Sequence, residues 1–295
     1  LVPEPADAFL IAVPTPFKPC QRGEVPEPDL QYIKSAAKAI APVLKVGDLV
    51  ILESTSPVGA TEQMAAWMAE VRPDLTFPQT VGEDSDIRVA HCPERVLPGQ
   101  VVRELVENDR VIGGLTAKCS ELAVELYKAF VNAECVITDG RTAEMAKQTE
   151  YSCRDVQIAF ANELSIVCDK LDINVWELIS LANRHPRINI LQPGPGVGGH
   201  CIAVDPEWVK DAAKKAGYMP EIIQLARNTN NGMPEYAVSL LQDALNEKSL
   251  PIKGTRITVL GVAYKKNVDD ARESPFFEIR DILNKKGAEL SSYDS

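Results

Sequence analysis

A thiol stands at the end of a glycine-rich run in the stretch GPGVGGHCIAVDP, residues 194–206. Glycine permits positive φ and close approach of the backbone to another group, so such a loop can wrap around a ligand and present Cys201 to it. A cysteine thiolate is a good nucleophile that also leaves readily. The stretch is equally compatible with a tight turn that ends in a buried, inert cysteine, and by itself it does not separate the two interpretations.

Two cations and a phenol share one face of a helical segment that precedes this run. Lys147, Tyr151, Arg154 and Ile158 are spaced i, i+4, i+7 and i+11, which places them on one side of an α-helix. This face could meet an anion. The alternative is a solvated stripe in which Lys147 pairs with a nearby glutamate.

Three further motifs place charged side chains in loops: CPERVLPG, RHPRIN and AYKKNVDDARESP. The first follows an apolar segment, where a carboxylate could act as a general base. Each motif alone is also compatible with a polar turn or a helix cap, but together they favour a site beside the thiol. The charged residues concerned are Glu94, Arg95, Arg184, His185, Arg187, Lys265, Lys266 and Arg272.

The composition is that of an ordinary globular protein with two or three domains. The chain has 295 residues, of which 45% are hydrophobic and 25% are charged. A net charge of −11 without a basic block argues against nucleic acid or an anionic membrane as the main partner. No apolar run approaches the length of a membrane span, and the first residues do not resemble a signal peptide.

Cysteine and histidine usage indicates the compartment and the absence of a metal site. The seven cysteines are an odd number, are scattered along the chain and form no CxxC pair. This pattern predicts reduced thiols in a cytoplasmic protein. With three histidines and no clustered ligand spacing, we expect no metal site.

Apolar runs alternate with helical segments in the first half of the chain, which predicts a Rossmann-like α/β domain with a parallel sheet. The loops VPTP, ESTSPVG and CPERVLPG fall at the carboxyl ends of the predicted strands, where such sheets bind ligands. The predicted strands are 8–13, 48–55 and the runs IRVAHCPE, RVIGG and CVIT, and the predicted helices are 28–44, a segment from Gly59, and 117–130.

The pattern changes near residue 141. Long helical segments follow, and a strand pattern returns at TRITVLGVAYK, after Gly254. We therefore predict an α/β domain over 1–140, a central helical region over 141–250 and the start of a second Rossmann-like domain over 251–295. No GxGxxG precedes the first strand, so we expect the sequence to be a fragment that is cut at both ends.

Six motifs together resemble the UDP-glucose/GDP-mannose dehydrogenase family of nucleotide-sugar 6-dehydrogenases. They occur in the family's order and spacing over essentially the whole chain. The motifs are CPERVLPGQ, NDRVIGG, TAEMAKQTE, RDVQIAFANELS, NILQPGPGVGGHCIAVDP and GVAYKKNVDDARESP.

The resemblance implies an enzyme that oxidises C6 of a UDP-sugar with NAD as cofactor, in two hydride transfers. It implies an NAD-binding first domain, a last domain that binds the UDP-sugar, and a homodimer formed through the central helices, roughly 141–230. Contacts to NAD are implied for Thr15, Thr55 and Arg272. Contacts to the substrate are implied for Arg95, Val96, Arg154, His185, Arg187, Gly198 and Lys265.

The resemblance also implies a covalent mechanism. Cys201 would add to the C6 aldehyde as a thiohemiacetal, whose oxidation gives a thioester. Lys147 would stabilise the oxyanion, Glu94 would activate the hydrolytic water, and Asp205 would orient the groups around the thiol. One position departs from the family: Tyr151 stands where relatives have an asparagine that helps to hold the oxyanion or the water.

The motif sequences PERVLPG and GGHCIAVDP most resemble those of the branch of the family that acts on UDP-N-acetylhexosamines. The substrate implied first is UDP-N-acetyl-D-mannosamine. UDP-glucose or GDP-mannose oxidation is an alternative. A non-catalytic nucleotide-sugar-binding paralogue is another, favoured by Tyr151 and by the missing GxGxxG. The joint presence of Cys201, Lys147, Glu94 and Asp205 counts against it. A cysteine hydrolase is disfavoured because adjacent residues on an extended loop, His200 and Cys201, point apart.

Overall fold

The computed structural model describes residues 3–18, 26–96, 100–199, 202, 204–265 and 267–294. The chain divides into two compact units, Leu1–Thr149 and Glu150–Ser295. No helix in these described ranges is both long enough and apolar enough to cross a membrane.

The first unit contains a five-stranded sheet whose strands follow one another in chain order. Strands β1 to β3 are parallel to each other, and β4 and β5 are parallel to each other. This arrangement confirms the predicted Rossmann-like α/β fold. The strands are β1 (Ala8–Ile11), β2 (Leu49–Leu52), β3 (Arg88–His91), β4 (Arg110–Gly114) and β5 (Cys135–Asp139).

One strand pair differs from the predicted parallel sheet: β3 and β4 are antiparallel, with Ala90 opposite Gly114. A parallel connection needs a crossover helix that packs on a face of the sheet. The helix between these strands is α4 (Val101–Glu107), and it buries none of its residues. Because α4 does not cover the sheet, the chain returns directly beside β3.

Helices cover both faces of the sheet, which explains why β2 is apolar along its whole length. Val50 and Leu52 belong to one buried cluster, whereas Leu49 and Ile51 belong to the other. Strands β1 and β2 end earlier than predicted. Polar loops that hydrogen-bond to each other follow their carboxyl ends. The helices of this unit before residue 140 are α1 (Gln31–Ile40), α2 (Ala60–Val71), α3 (Pro78–Val81), α4 and α5 (Ala117–Lys128).

A single long helix, α6 (Gly140–Lys170), runs through the division between the two units. The helical region that follows and the return of strand pattern near 254 are confirmed. Strands β6 and β7 pair in parallel, and the Ser274 hydroxyl caps the helix between them. The remaining elements are α7 (Val175–Ala182), α8 (Asp205–Lys215), α9 (Glu221–Glu247), β6 (Arg256–Leu260), α10 (Pro275–Lys285) and β7 (Glu289–Tyr293).

Candidate active site

Two threonines lie at the carboxyl edge of the first sheet, in the loops after β1 and β2. Thr15 is buried, and its hydroxyl donates a hydrogen bond to the Thr55 carbonyl over 2.8 Å. Ser54 joins the same loops again, because its hydroxyl accepts from the Val13 N–H and donates to the Val13 carbonyl, each over 2.7 Å. The structure therefore brings together the two threonines that were predicted to contact the cofactor. Their place outside the carboxyl ends of parallel strands fits a dinucleotide.

Glu94 follows β3 and carries a carboxylate that is held on both oxygens. Oε2 accepts a hydrogen bond from Nη1 of Arg110 over 3.1 Å, and Oε1 accepts from the Arg95 backbone N–H over 2.6 Å. The Glu94 N–H donates to the Glu53 carbonyl over 3.3 Å, so this turn lies beside the loop that follows β2. The Glu94 side chain is 33% exposed, which leaves it accessible to water. A fixed, hydrated carboxylate is suited to act as a general base.

Lys147 lies on α6 and is buried, with 4% of its surface exposed. Lys147 itself is thus not solvated, whereas Arg154 on the same face is exposed. Burying an ammonium group is costly unless other groups compensate for it. Proteins keep such a cation mainly where its charge has a task, and this supports the interpretation of Lys147 as a functional residue.

Hydrogen bonds on either side of this lysine tie α6 to the loop after β2. The Glu144 carboxylate accepts from the backbone N–H groups of Gly59 and Thr61, over 2.6 and 2.8 Å, and from the Thr61 hydroxyl over 2.6 Å. Nε2 of Gln148 donates to the Ser56 carbonyl over 2.7 Å. Burial raises the pKa of Glu144, while its hydrogen bonds oppose this shift. These contacts fix the rotation of α6 and its position along the helix axis.

Tyr151 and Arg154 continue the same face of α6, as the spacing predicted. Tyr151 is half-buried and Arg154 is exposed. Because residues four apart on a helix lie one above the other, Tyr151 is one turn from Lys147 along α6. Its role as a hydrogen-bond donor near the ammonium group stays a prediction.

The glycine-rich run packs closely against the segment before α10. The Gly199 N–H donates to the Arg272 carbonyl over 3.0 Å, and Gly199 has φ +87°. A Cβ on Gly198 would lie 2.7 Å from the Glu273 carbonyl oxygen. The predicted positive φ is present at Gly199, and Gly198 lies beside the segment that carries Arg272. The close approach seen is to the chain's own backbone, so the predicted approach to a ligand stays a prediction.

A buried polar network lies beneath the start of this run and joins α6 to α9. The Asp155 carboxylate accepts from Arg227 over 2.8 Å and from Asn230 over 2.7 Å. The Asn230 side-chain oxygen accepts from the Asn162 amide over 2.8 Å, and the Asn162 oxygen accepts from the Gly194 N–H over 2.9 Å. Burial raises the pKa of Asp155, and Arg227 opposes this shift. The network fixes the position of the first glycine.

A cavity of about 820 Å³ opens beside this network in the second unit. A volume of this size is typical of sites for nucleotides and other small ligands. The Arg272 side chain is 67% exposed, and its guanidinium donates to the Asp270 carboxylate over 2.7 Å. The cavity is lined by Gly196, Val197, Arg227, Asn230, Asn231, Pro234, Phe277, Glu278 and residues 271–275.

The roles of the other predicted site residues stay predictions. Asp205 opens α8 and is 2% exposed; a carboxylate in the first turn is favoured by the helix dipole. Cys201, His200 and Lys266 lie outside the described residues. Arg95 and Val96 are half-buried after β3, whereas Arg184, His185, Arg187 and Lys265 are exposed.

Cys92, a buried thiol of the first unit, is not a competing nucleophile. Burial raises the pKa of Cys92 to about 12, against the lowering effects of Tyr127 and Arg110. A thiol with that pKa stays protonated near neutral pH and is inert. The described cysteines, at positions 92, 119, 135, 153 and 168, are all free.

Several polar residues that position the site were not predicted from the sequence. The motif NDRVIGG contained a signal, because a lone arginine opens an otherwise apolar strand. TAEMAKQTE contained another, because a polar residue three before Lys147 shares its helix face and a second polar residue follows directly after it. The residues concerned are Arg110, Glu144, Gln148, Asn162 and Arg227.

Three segments of the chain match successive parts of one protein family. Residues 2–131 match the NAD binding domain of the UDP-glucose/GDP-mannose dehydrogenase family. Residues 141–232 match its central domain, and residues 258–295 match its UDP binding domain. The first match identifies NAD as the cofactor of that domain, in agreement with the threonine pair at the sheet edge.

Relatives cover nearly the whole chain. An NDP-N-acetyl-D-galactosaminuronic acid dehydrogenase of Ralstonia solanacearum is 61% identical over 277 residues, which are 94% of this chain and 63% of the relative. A UDP-N-acetyl-D-mannosamine dehydrogenase of Campylobacter jejuni is 62% identical over 278 residues, 94% of this chain and 66% of the relative. The solved structure of a UDP-D-ManNAc dehydrogenase from Pyrococcus horikoshii superposes with a TM-score of 0.88 at 40% identity, over 99% of this chain and 66% of that one. This chain therefore spans 63% to 66% of the length of these proteins.

Replacing Asn162 with alanine is expected to release the start of the glycine-rich run. The change removes the partner of the Gly194 N–H and of the Asn230 side-chain oxygen, and a buried polar group left without a partner costs about 1 to 3 kcal/mol. Hydrogen exchange over residues 191–199, followed by mass spectrometry, should become faster by about fivefold or more. The control is Gln224→Ala, which removes only an exposed side-chain contact to Asn228 on α9. Unchanged exchange in Asn162→Ala would show that the network does not hold the run.

Proposed function

Because the chain belongs to the UDP-glucose/GDP-mannose dehydrogenase family, we propose that the whole protein is an NAD-dependent nucleotide-sugar 6-dehydrogenase. It oxidises the C6 hydroxyl of a UDP-N-acetylhexosamine to a carboxylate. The observation that carries this proposal is the buried Lys147 on α6. Glu144 and Gln148 hydrogen-bond this helix to the loop after β2, which carries Thr55. A buried cation beside a dinucleotide site is suited to stabilise negative charge on a reacting oxygen.

UDP-N-acetyl-D-mannosamine is the substrate we favour. The motifs PERVLPG and GGHCIAVDP support it, and so do relatives from Campylobacter jejuni and Pyrococcus horikoshii whose names specify that sugar. The Ralstonia solanacearum relative, at nearly equal identity, is named for N-acetyl-D-galactosaminuronic acid. The corresponding sugar of galacto configuration, which differs at both C2 and C4, is therefore the natural comparison in any assay.

NAD, when bound, is the hydride acceptor. Two NAD molecules each take one of the two hydrides that leave C6 of the sugar. Thr15 and Thr55 hold the cofactor at the edge of the first sheet, and Arg272 is the third residue that we propose to contact it. The hydroxyl-to-carbonyl hydrogen bond between the threonines supports this assignment, because it sets both residues in one place before a ligand arrives.

Cys201 supplies the covalent step. Its thiolate adds to the C6 aldehyde and forms a thiohemiacetal, and oxidation of that adduct leaves a thioester. Water then attacks the thioester carbonyl, the thiolate leaves and the sugar is released as a carboxylate. A thiolate is suited both to the addition to the aldehyde and to the departure from the thioester, because it is a good nucleophile and a good leaving group.

The charged groups around the reacting carbon have separate tasks. Lys147 stabilises the oxyanion of the adducts, and Glu94 takes the proton of the attacking water. Asp205, buried at the start of α8, orients the thiol and the ammonium group. Tyr151 takes over the hydrogen bond that asparagine makes in relatives. The substrate contacts are Arg95, Val96, Arg154, His185, Arg187, Gly198 and Lys265.

Exposed apolar side chains on the helices of the second unit support a homodimer. Large side chains on α6, α7 and α9 are more than half exposed to solvent, and exposed apolar surface is typical of protein interfaces. We propose that these helices pair with those of a second copy. The residues are Phe160, Trp176, Leu181, Ile222 and Leu225.

A cytoplasmic location agrees with this function. The free cysteines of the described residues suit a reducing compartment. The proposed reaction also needs NAD and a UDP-sugar in the same compartment as the protein. We therefore place the protein in the cytoplasm.

The full-length protein should reduce NAD with UDP-N-acetyl-D-mannosamine faster than with UDP-glucose. The acetamido group distinguishes the two sugars, and a site built to hydrogen-bond a group discriminates against a ligand that lacks it. The measurement is NADH absorbance in parallel assays with both sugars and with UDP-N-acetyl-D-galactosamine, at equal concentrations. Two NADH per sugar would establish the four-electron reaction. A clear preference for UDP-glucose would contradict the substrate assignment.

Tyr151→Phe should lower turnover if the phenol has replaced the asparagine of relatives. Losing one oxyanion donor lowers the rate by about 10² to 10³. Tyr151→Asn should retain much of the activity, because the amide restores a donor at the same place on α6. NADH formation by the two variants, compared with the unchanged protein, decides between a donor and a packing residue. A silent Tyr151→Phe with a damaging Tyr151→Asn would remove Tyr151 from the catalytic residues.

A further inference from the structure

Arg110 is a buried cation to which the mechanism above gives no task. It is the first residue of β4 and is 1% exposed. Nη1 donates to Oε2 of Glu94 over 3.1 Å, and Nη2 donates to the Leu105 carbonyl over 3.2 Å. The guanidinium also lies over the Tyr127 ring, 5.5 Å from its centroid. The guanidinium thus has three contacts, and one of the three is the carboxylate of Glu94, the proposed base.

Stability is a weak explanation for this ion pair. Desolvating two charges consumes most of their attraction, and apolar replacements of buried pairs are often neutral or stabilising. The pair is also asymmetric, because Arg110 is buried whereas the Glu94 side chain is 33% exposed. A buried cation that holds a water-accessible carboxylate is the arrangement expected where the carboxylate must keep one orientation.

We propose that Arg110 is a positioning residue that aligns Glu94 for the hydrolysis of the thioester. The inference rests on the proposed function. Arg110 holds Oε2 and the Arg95 N–H holds Oε1, so the carboxylate is not free to turn about its last torsion. Each oxygen keeps a further lone pair for a water proton. In that step the water oxygen bonds to the thioester carbon, the proton passes to Glu94, and the Cys201 thiolate leaves.

Tyr127 provides a matched control within the same cluster. Its ring supports Arg110, but its hydroxyl donates to Oε1 of Glu53 over 2.5 Å and not to Glu94. Burial raises the pKa of Tyr127 above its ordinary value, so the phenol remains a donor. Tyr127→Phe therefore disturbs the buried cluster while it leaves the ring beneath Arg110 and both contacts of Glu94 intact.

The test uses the full-length protein with NAD and UDP-N-acetyl-D-mannosamine, and two readouts. Steady-state NADH formation gives turnover, and intact-mass spectrometry after acid quenching gives the fraction of protein that carries the sugar as a thioester. Arg110→Met should lower turnover about 10- to 100-fold, as small misplacements of catalytic groups do. The thioester fraction should rise, because both oxidations proceed while hydrolysis slows. kcat/KM for NAD should stay unchanged, because the slowed step follows both hydride transfers.

A merely structural role for Arg110 gives a different pattern. Loss of folded protein lowers turnover and the thioester fraction together. Glu94→Gln should accumulate the thioester by itself, and adding Arg110→Met to it should cause no further change, because Arg110 acts through Glu94. Arg110→Lys keeps the charge but loses one of the two donors, so it should lie between Arg110→Met and the unchanged protein. If Arg110→Met does not fold, Arg110→Lys provides the test.

The outcomes separate this inference from the function on which it rests. If the unchanged protein forms no NADH, or Glu94→Gln accumulates no thioester, the proposed function or the role of Glu94 is wrong, and the inference is overturned with it. If Glu94→Gln accumulates the thioester and the foldable Arg110 variant does not, the inference alone is overturned. Accumulation in Tyr127→Phe equal to that in Arg110→Met would also overturn it, since a general disturbance of the cluster would then suffice.

Discussion

The hydrogen bonds from Glu144 to the start of α2 are the constraint on which the candidate site depends. They join a long helix to a sheet-edge loop through two backbone N–H groups and one hydroxyl. These N–H groups belong to the first turn of a helix, where a carboxylate is favoured by the dipole and by the lack of intrahelical partners. Lys147, one turn further along α6, takes its place from this contact. The position of the proposed oxyanion cation is therefore set by a helix cap.

Further along α6, a second set of contacts fixes the same helix. It is a buried network of side-chain hydrogen bonds. Asp155 and Asn162 face polar partners on α9, and the last link reaches the backbone of Gly194. Such buried networks cost desolvation, and they can specify one arrangement of the chain. In this protein the arrangement specified is the start of the run that leads to Cys201. One helix thus carries the proposed cation and also anchors the glycine-rich run.

The fold and the motif residues could be predicted from the sequence, but the groups that position them could not. The alternation of apolar strands and helical segments was enough to predict the Rossmann-like sheet, because a strand buried on both faces is apolar throughout. The antiparallel β4 was missed because the strand RVIGG gives no sign of its direction. That direction follows from α4, which leaves the sheet uncovered.

Long-range pairing explains the other omissions. Arg110 lies sixteen positions from Glu94 along the chain, and Asn162 lies thirty-two positions from Gly194. A polar residue inside an apolar pattern indicates a buried partner, but spacing along the chain does not identify that partner. Spacing along the chain was sufficient to predict that Lys147 and Tyr151 share a helix face, because both lie on one helix. Thr15 and Thr55 were carried over from the family's motifs, and only the sheet register shows that they touch.

The most direct test of this account is the turnover of Lys147→Ala in the full-length protein. The account predicts a loss of NADH formation of about 10² to 10³ or more, with an unchanged circular dichroism spectrum. The control is Lys170→Ala, which removes an exposed lysine paired with Asp169 at the end of the same helix and should leave turnover unchanged. A Lys147→Ala protein that folds and keeps more than about half of the unchanged protein's turnover would contradict the account, since removing a needed electrostatic group costs far more than twofold.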